Sequence, residues 1–199
     1  MRQNDMNTDQ PDILSAPARA VLRLNAASAY ARLVATQEGP DEARTLLDAL
    51  APDQLLNRFT SSGDDGRAML AGLWLWHDFL PESHQLAQQL DTPNGAYWHA
   101  IMHRREGDFS NSKYWLARCT NHPIYPTLAV RGDDVIRPYP ADKSVFRLTS
   151  QGWNPGAFVD LVEQVHARPA DPRHGLAVAI QQLEWRLLFD HCTRAAASD

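Results

Sequence analysis

Residues 68–76 read Ala-Met-Leu-Ala-Gly-Leu-Trp-Leu-Trp, so a helix built from them has no polar face. Such a helix has to be surrounded by its neighbours, which predicts a core helix with the rest of the chain wrapped around it. The run is much shorter than the roughly 20 apolar residues that span a bilayer, and no other window comes closer, so no membrane association is expected.

The flanking segments supply the wrapping. A first helix is expected from Pro17 to about Ala35, where Val21, Leu24, Ala27, Tyr30, Ala31 and Val34 recur near helical spacing before a stop over 37–40. Pro40-Asp41-Glu42 opens a second, short helix carrying Leu46, Leu47 and Leu50, Asp53 caps another through Leu56, and 61–66 read as the loop that caps the core helix. Pro81 closes the core helix and opens one with Leu86, Ala87 and Leu90. Two helices over 96–106 and 110–121 are separated only by Gly107-Asp108-Phe109, a link that fits an antiparallel helical hairpin.

Periodicity fails over 124–153, where Pro126, Pro138 and Pro140 leave short helices and a small β-hairpin both open, and Arg131-Gly132-Asp133 reads as a turn. Asn154-Pro155-Gly156 then opens a helix with Phe158, Leu161, Val162 and Val165 on one face, and a last helix runs from Gly175 to about Thr193. The expected class is all-α: a compact array of antiparallel helical hairpins, about eight helices, in one domain over 17–199 behind a mobile tail over 1–16.

Composition narrows the functions. A chain of 199 residues buries enough surface to fold without a metal or a disulfide, so any metal would serve a function. The net charge of −5 argues against nucleic acid as a partner. All but Lys113 and Lys143 of the 19 basic residues are arginine, whose planar fork suits carboxylates and phosphates. Cys119 and Cys192 form no CxxC pair and sit in helical patterns, so buried inert thiols and a reducing, cytoplasmic location are expected. The acidic first residues make no secretory signal.

Gly107-Asp108-Phe109 followed by Ser112, Trp115 or Leu116, Cys119 and Pro123 resembles one tetratricopeptide unit. No second copy follows at that family's period, so the resemblance implies hairpin stacking and no particular partner. A longer block, Tyr97-Trp98-His99, Met102-His103-Arg104-Arg105-Glu106 and Asn111-Ser112-Lys113-Tyr114-Trp115, resembles a group of uncharacterised bacterial and fungal helical proteins. That likeness reaches back to His77-Asp78-Phe79-Leu80 and Ser83-His84 and forward to Trp153-Asn154-Pro155. It implies a helical fold and no activity.

The same block carries the chemistry. On a helix His99, His103 and Glu106 stand at i, i+4 and i+7, within an arc of roughly 60°. Two imidazoles and a carboxylate are the ligand set of many zinc and non-haem iron sites. One straight helix spreads the three over about 10 Å, so a divalent transition metal would need His99 and His103 plus a residue from another helix. His77 and His84 are the nearest candidates, with Glu184 and His191 behind them. The plainer alternative is a set of buried histidines bonded to carbonyls or carboxylates. HExxH is absent, and Glu163-x-x-His166 is the lone ExxH, which disfavours a di-iron carboxylate bundle.

A pocket needs no metal. Trp74, Trp76, Tyr97, Trp98, Tyr114 and Trp115 lie close in sequence to Arg104 and Arg105, which could grip an anionic group, although core packing explains the aromatics equally well. The expected ligand-binding set is therefore His77, His84, Trp98, His99, His103, Arg104, Arg105 and Glu106, serving a small polar or anionic molecule, with or without catalysis. The rival expectation is a non-catalytic tetratricopeptide-like module that binds a partner protein through exposed aromatics.

Overall fold

The computed structural model describes residues 13–57, 63–139 and 142–198. Among them are ten α-helices, one 3-10 turn and no strand, so the all-α class is observed and the helix number is close to that expected. Of the expected tail, 1–12 lie outside the described residues. Residues 13–15 belong to the folded body, since the Ser15 N–H donates to the Leu55 carbonyl and the Asn57 N–H to that of Ile13, both at 2.8 Å.

The first helix, α1 (Ala16–Arg23), is much shorter than its apolar spacing suggests. Leu24 is extended and Asn25 adopts φ 49°, which turns the chain before a further helical turn can form. Tyr30, at φ 55°, then carries it into 31–40. α2 (Asp41–Asp48) follows as expected, but the helix expected from Asp53 to Leu56 is only the 3-10 turn Pro52–Gln54, with Ala51 at its N-cap position and Asp53 inside it, because Pro52 already occupies the first turn.

α3 (Asp64–Trp76) is the anticipated core helix, with its ten residues from Gly66 and Ala68 to Trp76 buried. The loop expected to cap it falls partly on 61–62, outside the described residues. Gly72 is required by packing: a Cβ there would stand 2.8 Å from Cζ2 of Trp98, and the Gly72 carbonyl accepts from Nε1 of Trp185.

α4 (Leu80–Ala87) begins two residues after Asp78, which turns the chain at φ 62°. α5 (Pro93–Glu106) is a second buried helix, enclosed from Asn94 to Arg105. It packs against α4, α3 and α6 (Phe109–Leu116), which ends earlier than the pattern to 121 suggests.

The open segment resolves into α7 (Tyr125–Ile136) and α8 (Lys143–Phe146). Pro126 does not break α7; it occupies the first turn, where its missing N–H has no partner to lose. Arg131-Gly132-Asp133 is therefore helical and not a turn. α9 (Pro155–Val165) and the long α10 (Pro172–Ser198) complete the body, with α10 packed on α3, α7 and α9. Among the described residues no helix is long and apolar enough to cross a membrane.

Candidate metal centre

Three elements build the site. Thr92 caps α5 by accepting from the Gly95 N–H, and Gly107 ends it at φ 89°, a conformation that glycine adopts without a Cβ clash. Asp108 then caps α6 by accepting the Asn111 N–H at 3.0 Å, and the Ser112 hydroxyl donates to the Ala100 carbonyl at 2.8 Å. The hairpin so fixed lays Trp115 over His99 and Asn111 beside His103. α4 brings His84 to the same place.

One nitrogen from each of His84, His99 and His103 lies within 4.8 Å of the other two. Ring centroids are 4.7 Å apart for His84–His99 and His99–His103, and 5.5 Å for His84–His103. Around a tetrahedral ion with bonds of roughly 2.0–2.1 Å, nitrogens sit about 3.3 Å apart, so a modest contraction would close the set.

His99 is the decisive member. It is only 3% exposed, and neither ring nitrogen has a hydrogen-bond partner. Burial first, then the neighbouring His103 and His84, press its pKa down to about 4, so the ring is neutral and keeps a lone pair at neutral pH. Burial also lowers that of His84, with His103 adding to the effect.

His103 has a defined tautomer. Its Nδ1 lies 2.6 Å from a Glu106 carboxylate oxygen, which only accepts, so Nδ1 carries the proton. The Asn111 amide donates to Nε2 at 3.1 Å, so the lone pair is there. A carboxylate behind one imidazole nitrogen, with the lone pair on the other, is the arrangement that orients histidine ligands of metals; here an ion would have to displace the Asn111 amide from Nε2. Glu106 and Asp108 are exposed and form a second close group with His103, placing carboxylates at the solvent edge of the site.

Other expected members lie elsewhere. Nε2 of His77 donates to the Val21 carbonyl at 2.9 Å, on the pattern of a structural histidine. Trp98 is fully buried against α3 and α10, so it offers no surface to a ligand or a peptide. Arg104 is taken up by a buried ion pair with Glu184, which also accepts the Tyr97 hydroxyl at 2.9 Å. Arg105 bonds Asp78 and the Arg32 carbonyl. Neither arginine is free to grip an anion. His191 stands beside His122, with ring centroids 5.3 Å apart, away from the three-histidine group. Cys119 and Cys192 are free and buried, and burial pushes their thiols up to about 11 and about 12, as inert thiols require.

Asn111 was not among the residues expected here, and Trp115 was expected only as an aromatic. Reflection of the sequence through Gly107 finds both, because 111 mirrors 103 and 115 mirrors 99 across an antiparallel hairpin. Comparison of the chain with family models, with curated proteins and with solved structures gives no match.

Proposed function

We propose that this protein binds a divalent transition metal ion through His84, His99 and His103, leaving open positions on the ion for water or a small polar or anionic molecule. The observation that carries the reading is His99: a buried imidazole with two unsatisfied nitrogens, facing two other imidazoles. Buried polar groups are ordinarily bonded, and an unpaired one costs about 1–3 kcal/mol unless something absent from the protein chain satisfies it. His77 and His122 show the ordinary solution in this fold, with partners at 2.9 and 3.0 Å. Glu106 orients His103, and the tetratricopeptide-like hairpin of α5 and α6 serves to present ligands rather than to hold a peptide. Three imidazole ligands suit zinc, copper or nickel better than magnesium or calcium.

The test is elemental analysis of untagged protein by plasma mass spectrometry after loading with zinc and removal of excess ion, repeated on a His99→Ala, His103→Ala variant whose helicity is checked by circular dichroism. About one ion per chain in the wild type and loss of it in a folded variant support the site. An empty wild type, or equal retention by the variant, rejects it.

A further inference from the structure

A cleft of about 490 Å³ opens between residues 25–40 and the turn after α3, apart from the three histidines. Four non-glycine residues among those described have a left-handed backbone, and three of them, Asn25, Tyr30 and Asp78, line this cleft. A side chain as large as tyrosine stays in that region only when its surroundings impose it, and such residues gather where ligands bind.

The surroundings here do impose it. Arg105, buried at the end of α5, bonds both Asp78 and the Arg32 carbonyl and lies 4.3 Å over the Tyr30 ring. The Gln181 amide from α10 donates to the same carbonyl at 2.7 Å. Gly39 closes the rim against the backbone of His77, so tightly that a Cβ would stand 2.2 Å from the His77 carbonyl oxygen. The walls are therefore fixed before any ligand arrives, which removes much of the ordering cost of binding.

The polar groups that face the cleft are sorted by role. His77 donates from Nε2 to Val21, so in the neutral ring its Nδ1 is an acceptor. Asp78 spends one carboxylate oxygen on Arg105 and keeps the other. Glu38 is held by Arg44, whereas Arg32 bonds the Thr36 hydroxyl at 3.4 Å and makes no ion pair among the described residues, although its charge acts on Asp78. The cleft lining thus combines two acceptors, on His77 and Asp78, with an exposed guanidinium that makes no ion pair among the described residues, and the neutral side chains of Asn25, Ser28 and Gln37 line it as well.

We propose that this cleft binds a small polyhydroxylated anion, a sugar acid or a sugar phosphate, whose hydroxyls donate to His77 Nδ1 and the free Asp78 oxygen while its charged group pairs with Arg32. The site is independent of the metal centre, so either can fail without the other.

Calorimetric titration of the full chain tests it with glycerate and glycerol 3-phosphate as probes, and with glycerol, acetate and inorganic phosphate as the separated halves. The expected result is saturable binding of at least one probe, with each half about tenfold weaker or more. Arg32→Ala, at an exposed position, should weaken that probe by about tenfold or more with metal content unchanged. Whichever probe binds tighter identifies carboxylate or phosphate as the charged group. The proposal is overturned by two silent probes, by a half that binds as well as its parent, or by a folded Arg32→Ala protein that binds undiminished.

Discussion

His99 stacks on Trp115 with ring centroids 3.9 Å apart and planes 26° from parallel, so an indole rests on the imidazole that lacks any hydrogen-bond partner. The indole shields one face of His99 and makes the site report on itself. Copper(II) bound to His99 would lie within contact range of Trp115 and quench its emission. Titration of copper into wild-type protein should give a saturable fall in tryptophan fluorescence. Trp115→Phe should lose most of that fall while still binding copper. A fall of unchanged size in Trp115→Phe would place the ion near other tryptophans and reject the site.

Arg104 and Glu184 form an ion pair with side chains 1% and 0% exposed, tying α5 to α10. Removing one charge leaves the other buried and unanswered, which typically costs about 3–5 kcal/mol. Glu184→Gln should therefore lower the urea midpoint sharply. A joint Arg104→Met, Glu184→Leu replacement should recover much of the loss, because it deletes the charge that was stranded. Equal midpoints for Glu184→Gln and wild type would show that the pair contributes little.

His122 makes the stability depend on pH. The Ile124 N–H donates to its Nδ1 at 3.4 Å and its Nε2 donates to Asn94 at 3.0 Å, so a second proton would set two donors against each other. Burial first, then His191, lowers its pKa to about 4, below the value of about 6.5 in an unfolded chain. The unfolded chain therefore binds more protons between these values, and this contribution, complete above about pH 6.5, is lost as pH falls toward 4. Urea midpoints measured between pH 7 and pH 4.5 should fall less steeply in His122→Gln than in wild type. Identical slopes would remove His122 from the acid response.

The two buried helices differ in how openly the sequence announces them. α3 is legible because every direction around it is apolar. α5 is not, since His99, His103, Arg104 and Arg105 give it the composition of a surface helix. Its burial depends on Glu184 and Asp78, 80 and 27 residues away in sequence, which neutralise the arginines once the chain is folded. The i, i+4 spacing selects His99 and His103, and one helix cannot close the set, so the need for a third residue is legible too. The choice of His84 over His77 is tertiary: His77 caps α3 and turns to the Val21 carbonyl, while α4 carries His84 onto α5. The apolar spacing of 17–35 suggests a longer first helix because the left-handed turns at Asn25 and Tyr30 leave no trace in hydrophobic periodicity.

Glu106 gives the last prediction. Its carboxylate holds the proton of His103 on Nδ1 and so leaves the Nε2 pair for an ion, in competition only with the Asn111 amide. Glu106→Gln keeps the size of the side chain but replaces a charged acceptor with a neutral amide that can also donate, which weakens the tautomer preference. Loss of such a carboxylate behind a ligating histidine typically reduces metal affinity by about 10–100-fold. Competition with a chromophoric chelator should therefore show zinc binding in Glu106→Gln at the same stoichiometry and lower affinity. Because Glu106 is 40% exposed and its hydrogen bond is to His103, the fold should survive the change. Unchanged affinity would mean that His103 does not ligate through Nε2, and abolished stoichiometry would make Glu106 a ligand in its own right.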